Sequence, residues 1–243
     1  MKKIHHPAGI AIVLILTALP ALAQSDFIVF PHVADGYFGD GTAYRSTLTL
    51  TSWSADEVYC AADLYGMDVD FGTGRSTAFD IIIPQNGFVS VRTNAELPMQ
   101  TGYMTLDCDS DQVYGQLSYA SYDLYDFKTG EATVFPTAVQ YSEYRILADH
   151  RDAAQLGVAI ANTTDQETVY DLTLLDYDGT VINTGQISVP ARSNTAAFLS
   201  QLLLPPEAPG SVYMLEIASR DFSLFSAIGL QYTGQVFTTV PAN

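Results

Sequence analysis

The sequence predicts an all-β chain made of two tandem Ig-like antiparallel β-sandwich domains related by duplication. Three observations predict it. The patterning has period two rather than 3.6: Thr47, Thr49 and Thr51 alternate with Leu48, Leu50 and Ser52. One phrase is written twice, as IIPQNGFVSV (82–91) and SVPARSNTAAF (188–198), with Pro190 standing 106 residues (190 − 84) after Pro84. The halves align over most of their length at a spacing of about 105–110 residues, the size of one sandwich domain.

The elements follow in order. Lys2 and Lys3 precede an apolar run (10–19) too short for a membrane span, which needs about 20 residues. Pro20 breaks the run, and Ala21-Leu22-Ala23 has the small-x-small form of a cleavage site. Residues 1–23 are therefore expected to be a secretory leader, with Gln24 as the mature N-terminus and no stable membrane insertion after cleavage. The first sandwich is expected over 24–140 and the second over 141–243. In the first, STLTLTSWSADEVYCAADLYG (46–66) reads as strand, polar tip and strand, and it aligns with LGVAIANTTDQETVYDLTLLD (156–176). The repeated phrase reads as a strand, a proline corner and a return strand, because proline cannot donate to a ladder. GYMTLDCDSDQVYGQLSYA (102–120) aligns with VYMLEIASRDFSLFSAIGL (212–230), placing Tyr103-Met104 opposite Tyr213-Met214. TVFPTA (133–138) aligns with TTVPAN (238–243). In the second half, Asp178-Gly179 between strand-like runs predicts a type I′ hairpin with positive φ at both central positions. One stretch, TAAFLSQLLLPPEAPG (195–210), predicts a short helix stopped before Pro205-Pro206. The linker near 140–145 is short and poor in glycine, so the halves are expected in a fixed relation with shared apolar contacts.

Charge narrows the partners. The chain carries 10 basic and 27 acidic residues, a net of −17. Without the leader, eight basic residues face 27 acidic ones (8 − 27, or −19), and Lys128 is the sole lysine. Such a surface repels phosphate backbones and anionic headgroups, which excludes general nucleic-acid binding. Cys60 and Cys108, an even count in an exported chain, predict a disulfide closing a 48-residue loop. The second half must be stable without one. The expected location is outside the cytoplasm, extracellular or periplasmic.

The residues Phe30-Pro31-His32-Val33-Ala34-Asp35-Gly36, Ser46-Thr47-Leu48-Thr49-Leu50, Ile83-Pro84-Gln85-Asn86-Gly87 and Val189-Pro190-Ala191 carry a resemblance. With them the mature chain resembles a group of secreted bacterial proteins of uncharacterised activity, whose sequences run FP.FADG, STTL.L.N and IP.NG before a second copy ending in VP. The chain departs from them at Trp53-Ser54, where an asparagine-containing tip is commoner, and in its cysteine pair. The resemblance implies secretion and tandem β-sandwich modules, and no activity.

Motifs for chemistry are sparse. There is no G-x-S-x-G elbow and no H-E-x-x-H. Past the leader only His32 and His150 remain, each near the start of its repeat, so they read as equivalent positions rather than partners. No catalytic residue and no required cofactor is expected. Asp107, Asp109 and Asp111 lie two apart, on one side of an extended chain, and carboxylates so arranged suit calcium. The stretch has no EF-hand glycine or glutamate, and a solvated turn is the preferred reading. Asp68 and Asp70 are weighed in the same way. Trp53, at a strand tip, and Tyr37, Phe38 and Tyr44, in the glycine-rich loop 36–44, are candidate sugar-stacking rings. The leading functional expectation is a secreted non-enzymatic module for adhesion or assembly, its partner a protein or polysaccharide at the cell surface. A carbohydrate-binding protein using the aromatics comes second. A glycan hydrolase, which needs two carboxyl groups across one cleft, comes last.

Overall fold

The structure, a computed structural model, describes residues 27–72, 74–137, 139–203, 211–234 and 236–242. The expected leader and its cleavage site lie outside the described residues. The chain is all-β, and every strand ladder is antiparallel. The strands of residues 27–134 are β1 (Phe27–Tyr37), β2 (Ala43–Ser52), β3 (Val58–Tyr65), β4 (Val69–Asp70), β5 (Arg75–Ser76), β6 (Ala78–Ile83), β7 (Phe88–Arg92), β8 (Gln100–Cys108), β9 (Val113–Tyr122) and β10 (Lys128–Val134). They are followed by β11 (Glu143–Asp149), β12 (Gln155–Asn162), β13 (Thr168–Leu175), β14 (Val181–Val189), β15 (Ser193–Phe198), β16 (Val212–Ser219), β17 (Ser226–Thr233) and β18 (Val236–Val240). One helical turn, α1 (Leu199–Leu202), falls within the stretch 195–210 where the sequence places a helix, while 195–198 belong to β15 and 204–210 lie outside the described residues.

In the first half, one sheet runs β6-β3-β8-β1 and a second runs β7-β2-β9-β10. The end of β1, at Gly36 and Tyr37, pairs with β2 and joins the two. In the second half the sheets run β14-β13-β16-β11 and β15-β12-β17-β18. The strand order is the same in the two halves, apart from the small hairpin β4-β5, which has no counterpart among the described residues of the second.

The repeated phrase builds the crossing between sheets. Pro84 follows the last residue of β6, and Pro190 follows the last residue of β14. Each crossing then places a non-glycine residue in the left-handed region, Asn86 at φ 48 and Arg192 at φ 49. The Asn86 N–H donates to the Ser54 carbonyl at 3.0 Å, and the Arg192 N–H donates to the Thr164 carbonyl at 2.9 Å. Two residues earlier, Ser52 Oγ accepts from the Ser54 N–H, as Asn162 Oδ1 accepts from the Thr164 N–H, each at 3.0 Å. These matched bonds fix the correspondence of β2 with β12.

Two local expectations are corrected. Leu64 pairs with Met104 while Leu174 pairs with Leu215, so Tyr103-Met104 corresponds to Met214-Leu215, one residue past the Tyr-Met identity. Pairing register and burial decide the position, and the shared dipeptide is a coincidence of letters. The Asp178-Gly179 turn is not type I′. Only Gly179 has positive φ, at 84, and its N–H donates to the Asp176 carbonyl at 3.1 Å. The Asp176 N–H donates to the Thr180 carbonyl across a three-residue loop, the type I turn with a glycine bulge. Asp176 supplies the reason: its carboxylate accepts from the Asp178 and Thr180 N–H groups and holds the wider turn.

Each half has an apolar core between its sheets, with Phe30, Leu48, Leu50, Met104 and Leu117 in the first and Ile146, Leu172, Leu174, Leu215 and Ile217 in the second. The first cluster continues into the second half through Ala159, Ile228, Leu230 and Phe237. The halves thus share apolar contacts, as their short connection leads one to expect. Within the sheet β15-β12-β17-β18, β12 and the first five residues of β17 are covered on both faces. So is β1, nine of whose eleven residues are buried.

Cys60 and Cys108 sit directly opposite on β3 and β8 and form the expected disulfide. At the matching place in the second half, Tyr170 faces Ser219. The fully buried Tyr170 ring meets Phe225 at 4.7 Å, and Phe225 meets Tyr144 at 4.9 Å, so interlocked rings fill the space a bridge takes in the first half.

Candidate functional site

The outer face of β7-β2-β9 gathers the candidate site. Along β2 the leucines point into the core, so Thr47, Thr49 and Thr51 point out. Thr51 lies between Phe88 on β7 and Tyr114 on β9, Thr49 between Ser90 and Gln116, and Thr47 between Arg92 and Ser118. Trp53 follows β2 by one residue and shares the parity of the threonines; its N–H donates to the Gln112 carbonyl at 3.1 Å. Trp53 is 63% exposed, Phe88 69% and Tyr114 45%. Three rings therefore surround Thr51 at one end of an open sheet face.

Beyond the rings the face is polar. Thr49 Oγ1 and Ser90 Oγ share a hydrogen bond at 3.1 Å, and Thr133 on β10 extends the Ser118 row. Farther along, the Tyr122 ring meets the guanidinium groups of both Arg45, at 4.6 Å, and Arg92, at 5.0 Å. Arg45 also pairs with Asp126. From Thr51 to Arg45 the strand covers about 20 Å.

Of the aromatics singled out in the sequence, Trp53 belongs to this face. Tyr37, Phe38 and Tyr44 lie at the opposite end of β2, about 30 Å from Trp53 by strand rise. Their loop is a tight turn: the Gly41 N–H donates to the Phe38 carbonyl, the Phe38 N–H to the Thr42 carbonyl, and Asp40 accepts from both the N–H and the hydroxyl of Thr42. Phe38 and Tyr44 instead line a cleft of 350 Å³ between the two halves. Phe88 and Tyr114 were not singled out from the sequence. The period-two alternation of the strand after the proline corner, with Phe88, Ser90 and Arg92 on one side, is the signal that would have found Phe88.

His32 lies in the cleft wall, buried, with its ring edge-on to Tyr119 at 5.4 Å. Its Nδ1 has no hydrogen-bond partner among the described residues. Burial drives the His32 pKa down to about 4 and holds the Tyr119 phenol well above its ordinary value. His150 lies elsewhere, against Tyr213 at 5.7 Å. The two histidines share no cleft.

Among the described residues, no group of three or more His, Cys, Asp or Glu side chains is arranged to hold a metal ion. The chain bends after β8, so the alternation that would align Asp107, Asp109 and Asp111 is lost. Asp109 accepts from the Tyr59 N–H at 3.0 Å. Asp68 pairs with Arg75 at 2.7 Å, and Asp70 accepts from the Gly72 and Gly74 N–H groups. No helix among the described residues is long and apolar enough to cross a membrane.

No protein-family model matches the chain, and no curated protein matches it. Among solved structures, a β-glucuronidase from glycoside hydrolase family 2 aligns at 8% identity, covering 86% of this chain and 24% of that one, with a TM-score of 0.16. A likeness of that size carries no argument about activity.

Proposed function

We propose that the chain is an exported, non-enzymatic binding module, its second half a copy of the first, that holds a neutral polysaccharide against the outer face of β7-β2-β9. One observation carries the reading: Trp53, Phe88 and Tyr114 stand exposed around Thr51, beside rows of hydroxyl and amide groups. A sugar ring has an apolar C–H face and a rim of hydroxyls. The C–H face stacks on aromatic rings, and the rim exchanges hydrogen bonds with Thr49, Ser90 and Gln116. The net charge of −17 disfavours polyanions. Export rests on the leader-like segment and is supported by the disulfide. The resemblance to secreted tandem β-sandwich proteins agrees with both. Holding such a polymer serves adhesion or association with an extracellular matrix.

Retention on insoluble neutral polysaccharides such as cellulose, chitin and β-1,3-glucan tests the proposal. The protein is expected to be retained on one of them, and Trp53→Ala with Phe88→Ala is expected to lower affinity at least tenfold while the melting temperature stays put. Absence of retention, equal retention by the double variant, or capture of a protein by the same face in place of a glycan would overturn it. Release of reducing ends by the wild-type protein would favour a hydrolase instead.

A further inference from the structure

We infer that the cleft between the two halves is a second binding site, for a small uncharged molecule that is mostly apolar and carries a hydroxyl group. The inference is independent of the polysaccharide face. One wall comes from the first half, with His32, Phe38, Tyr44 and Tyr119. The other comes from the second half, with Ala196, Ala197, Phe198 and Tyr232, and the space between them is 350 Å³. That is within the range of small-molecule pockets, about 300–1,000 Å³.

Four features set the ligand's chemistry. First, among the described residues the walls carry no Asp, Glu, Lys or Arg, although the chain has 27 acidic residues. Burial keeps His32 neutral as well, so a charged ligand would enter without a counter-charge. Second, aromatic rings form a continuous chain around the space. Phe38 meets Tyr44 at 5.8 Å, Tyr44 meets Tyr119 at 5.9 Å and Tyr119 stacks on Phe237 at 5.3 Å. Phe237 stacks on Tyr232 at 5.3 Å, and Tyr232 meets Phe198 at 5.3 Å. This suits a flat or ring-bearing apolar body. Third, the buried His32 ring keeps its Nδ1 without a hydrogen-bond partner among the described residues, which leaves hydrogen-bonding capacity in the wall for one ligand hydroxyl. Fourth, small residues create the room. Ala196 stands at the ladder position that Ser90 holds in the first half, and a Cβ at Gly157 would come within 3.2 Å of the Tyr232 ring.

The test is a titration of the full chain with 2-naphthol, followed by probe fluorescence and calorimetry, with naphthalene-2-sulfonate as the charged counterpart. Saturable one-to-one binding of the alcohol, with the sulfonate at least tenfold weaker, is the expected result. Ala196 is exposed at the cleft, so Ala196→Leu fills the space with little cost to the fold. That variant is expected to weaken 2-naphthol binding at least tenfold with an unchanged melting temperature, while Trp53→Ala leaves it unchanged. No saturable binding by the wild type, equal binding by Ala196→Leu, or equal binding of the sulfonate would overturn the inference. None of these outcomes bears on polysaccharide retention.

Discussion

The outer faces of β7-β2-β9 and β15-β12-β17 occupy the same place in the two halves, and one meets solvent while the other meets the neighbouring half. Where the first presents Thr47, Thr49 and Thr51, the second has Gly157, Ala159 and Ala161. Ser90 and Arg92 give way to Ala196 and Phe198, and Gln116 and Ser118 to Ile228 and Leu230. The backbone pairing is the same in each. The difference teaches that outward-pointing side chains alone decide whether this sheet is a free surface or an interior wall. A threonine hydroxyl buried there without a partner would cost about 1–3 kcal/mol, and glycine and alanine remove that cost.

Matched substitutions break the comparison most sharply. Ile228 is 3% exposed, so Ile228→Asp would bury an unpaired charge and is expected to cost more than about 4 kcal/mol. Gln116→Asp, at the equivalent exposed position, is expected to stay within about 0.5 kcal/mol. Chemical denaturation of both variants measures the contrast, and similar losses would mean that the faces are not so differently placed.

Next in size is the choice between bridge and rings. Reducing Cys60–Cys108, which closes a 48-residue loop, is expected to cost up to about 4 kcal/mol. Tyr170→Ala, at the corresponding site, is expected to cost about 3–5 kcal/mol. Because the first core runs into the second half, each change is expected to lower a single cooperative transition. Two separate calorimetric transitions would show that the shared contacts do not couple the halves.

Acid acts on the boundary itself. His32 has a folded pKa of about 4 against an ordinary 6.5, so between those values the unfolded chain binds more protons. Stability is therefore full above pH 6.5 and declines as pH falls toward 4, by about 3 kcal/mol at most. His150, also lowered by burial, acts in the same direction. The melting temperature should fall with acid across this window in the wild type and fall less in His32→Phe, with the contribution of His150 remaining. The smallest effect is expected on the open face, where Trp53→Ala should shift stability by no more than about 0.5 kcal/mol.

The sequence made the strand pattern, the proline corners, the disulfide and the short helix legible, because each is set by local chemistry or by a spacing that repeats. Register was less legible. The Tyr-Met pairs in the two halves match by eye, yet the ladders shift them by one. The candidate site was half visible. Trp53 stood out as the sole tryptophan, whereas Phe88 and Tyr114 read as ordinary strand residues until pairing set them on either side of Thr51. Phe38 and Tyr44 were visible as rings, but their role depends on a second wall more than 100 residues away in sequence.

The double burial of β1 has a consequence for the order in which the molecule can be completed. This strand leaves the ribosome ahead of the other described strands, yet the β12 and β17 segments that cover it are made much later. Until β17 has emerged, Val29, Val33 and Ala34 lack part of their final surroundings, so the nascent first half displays a sticky flank throughout synthesis. A chaperone that shields extended apolar segments would be needed longest there, and a chain truncated after β10 should aggregate.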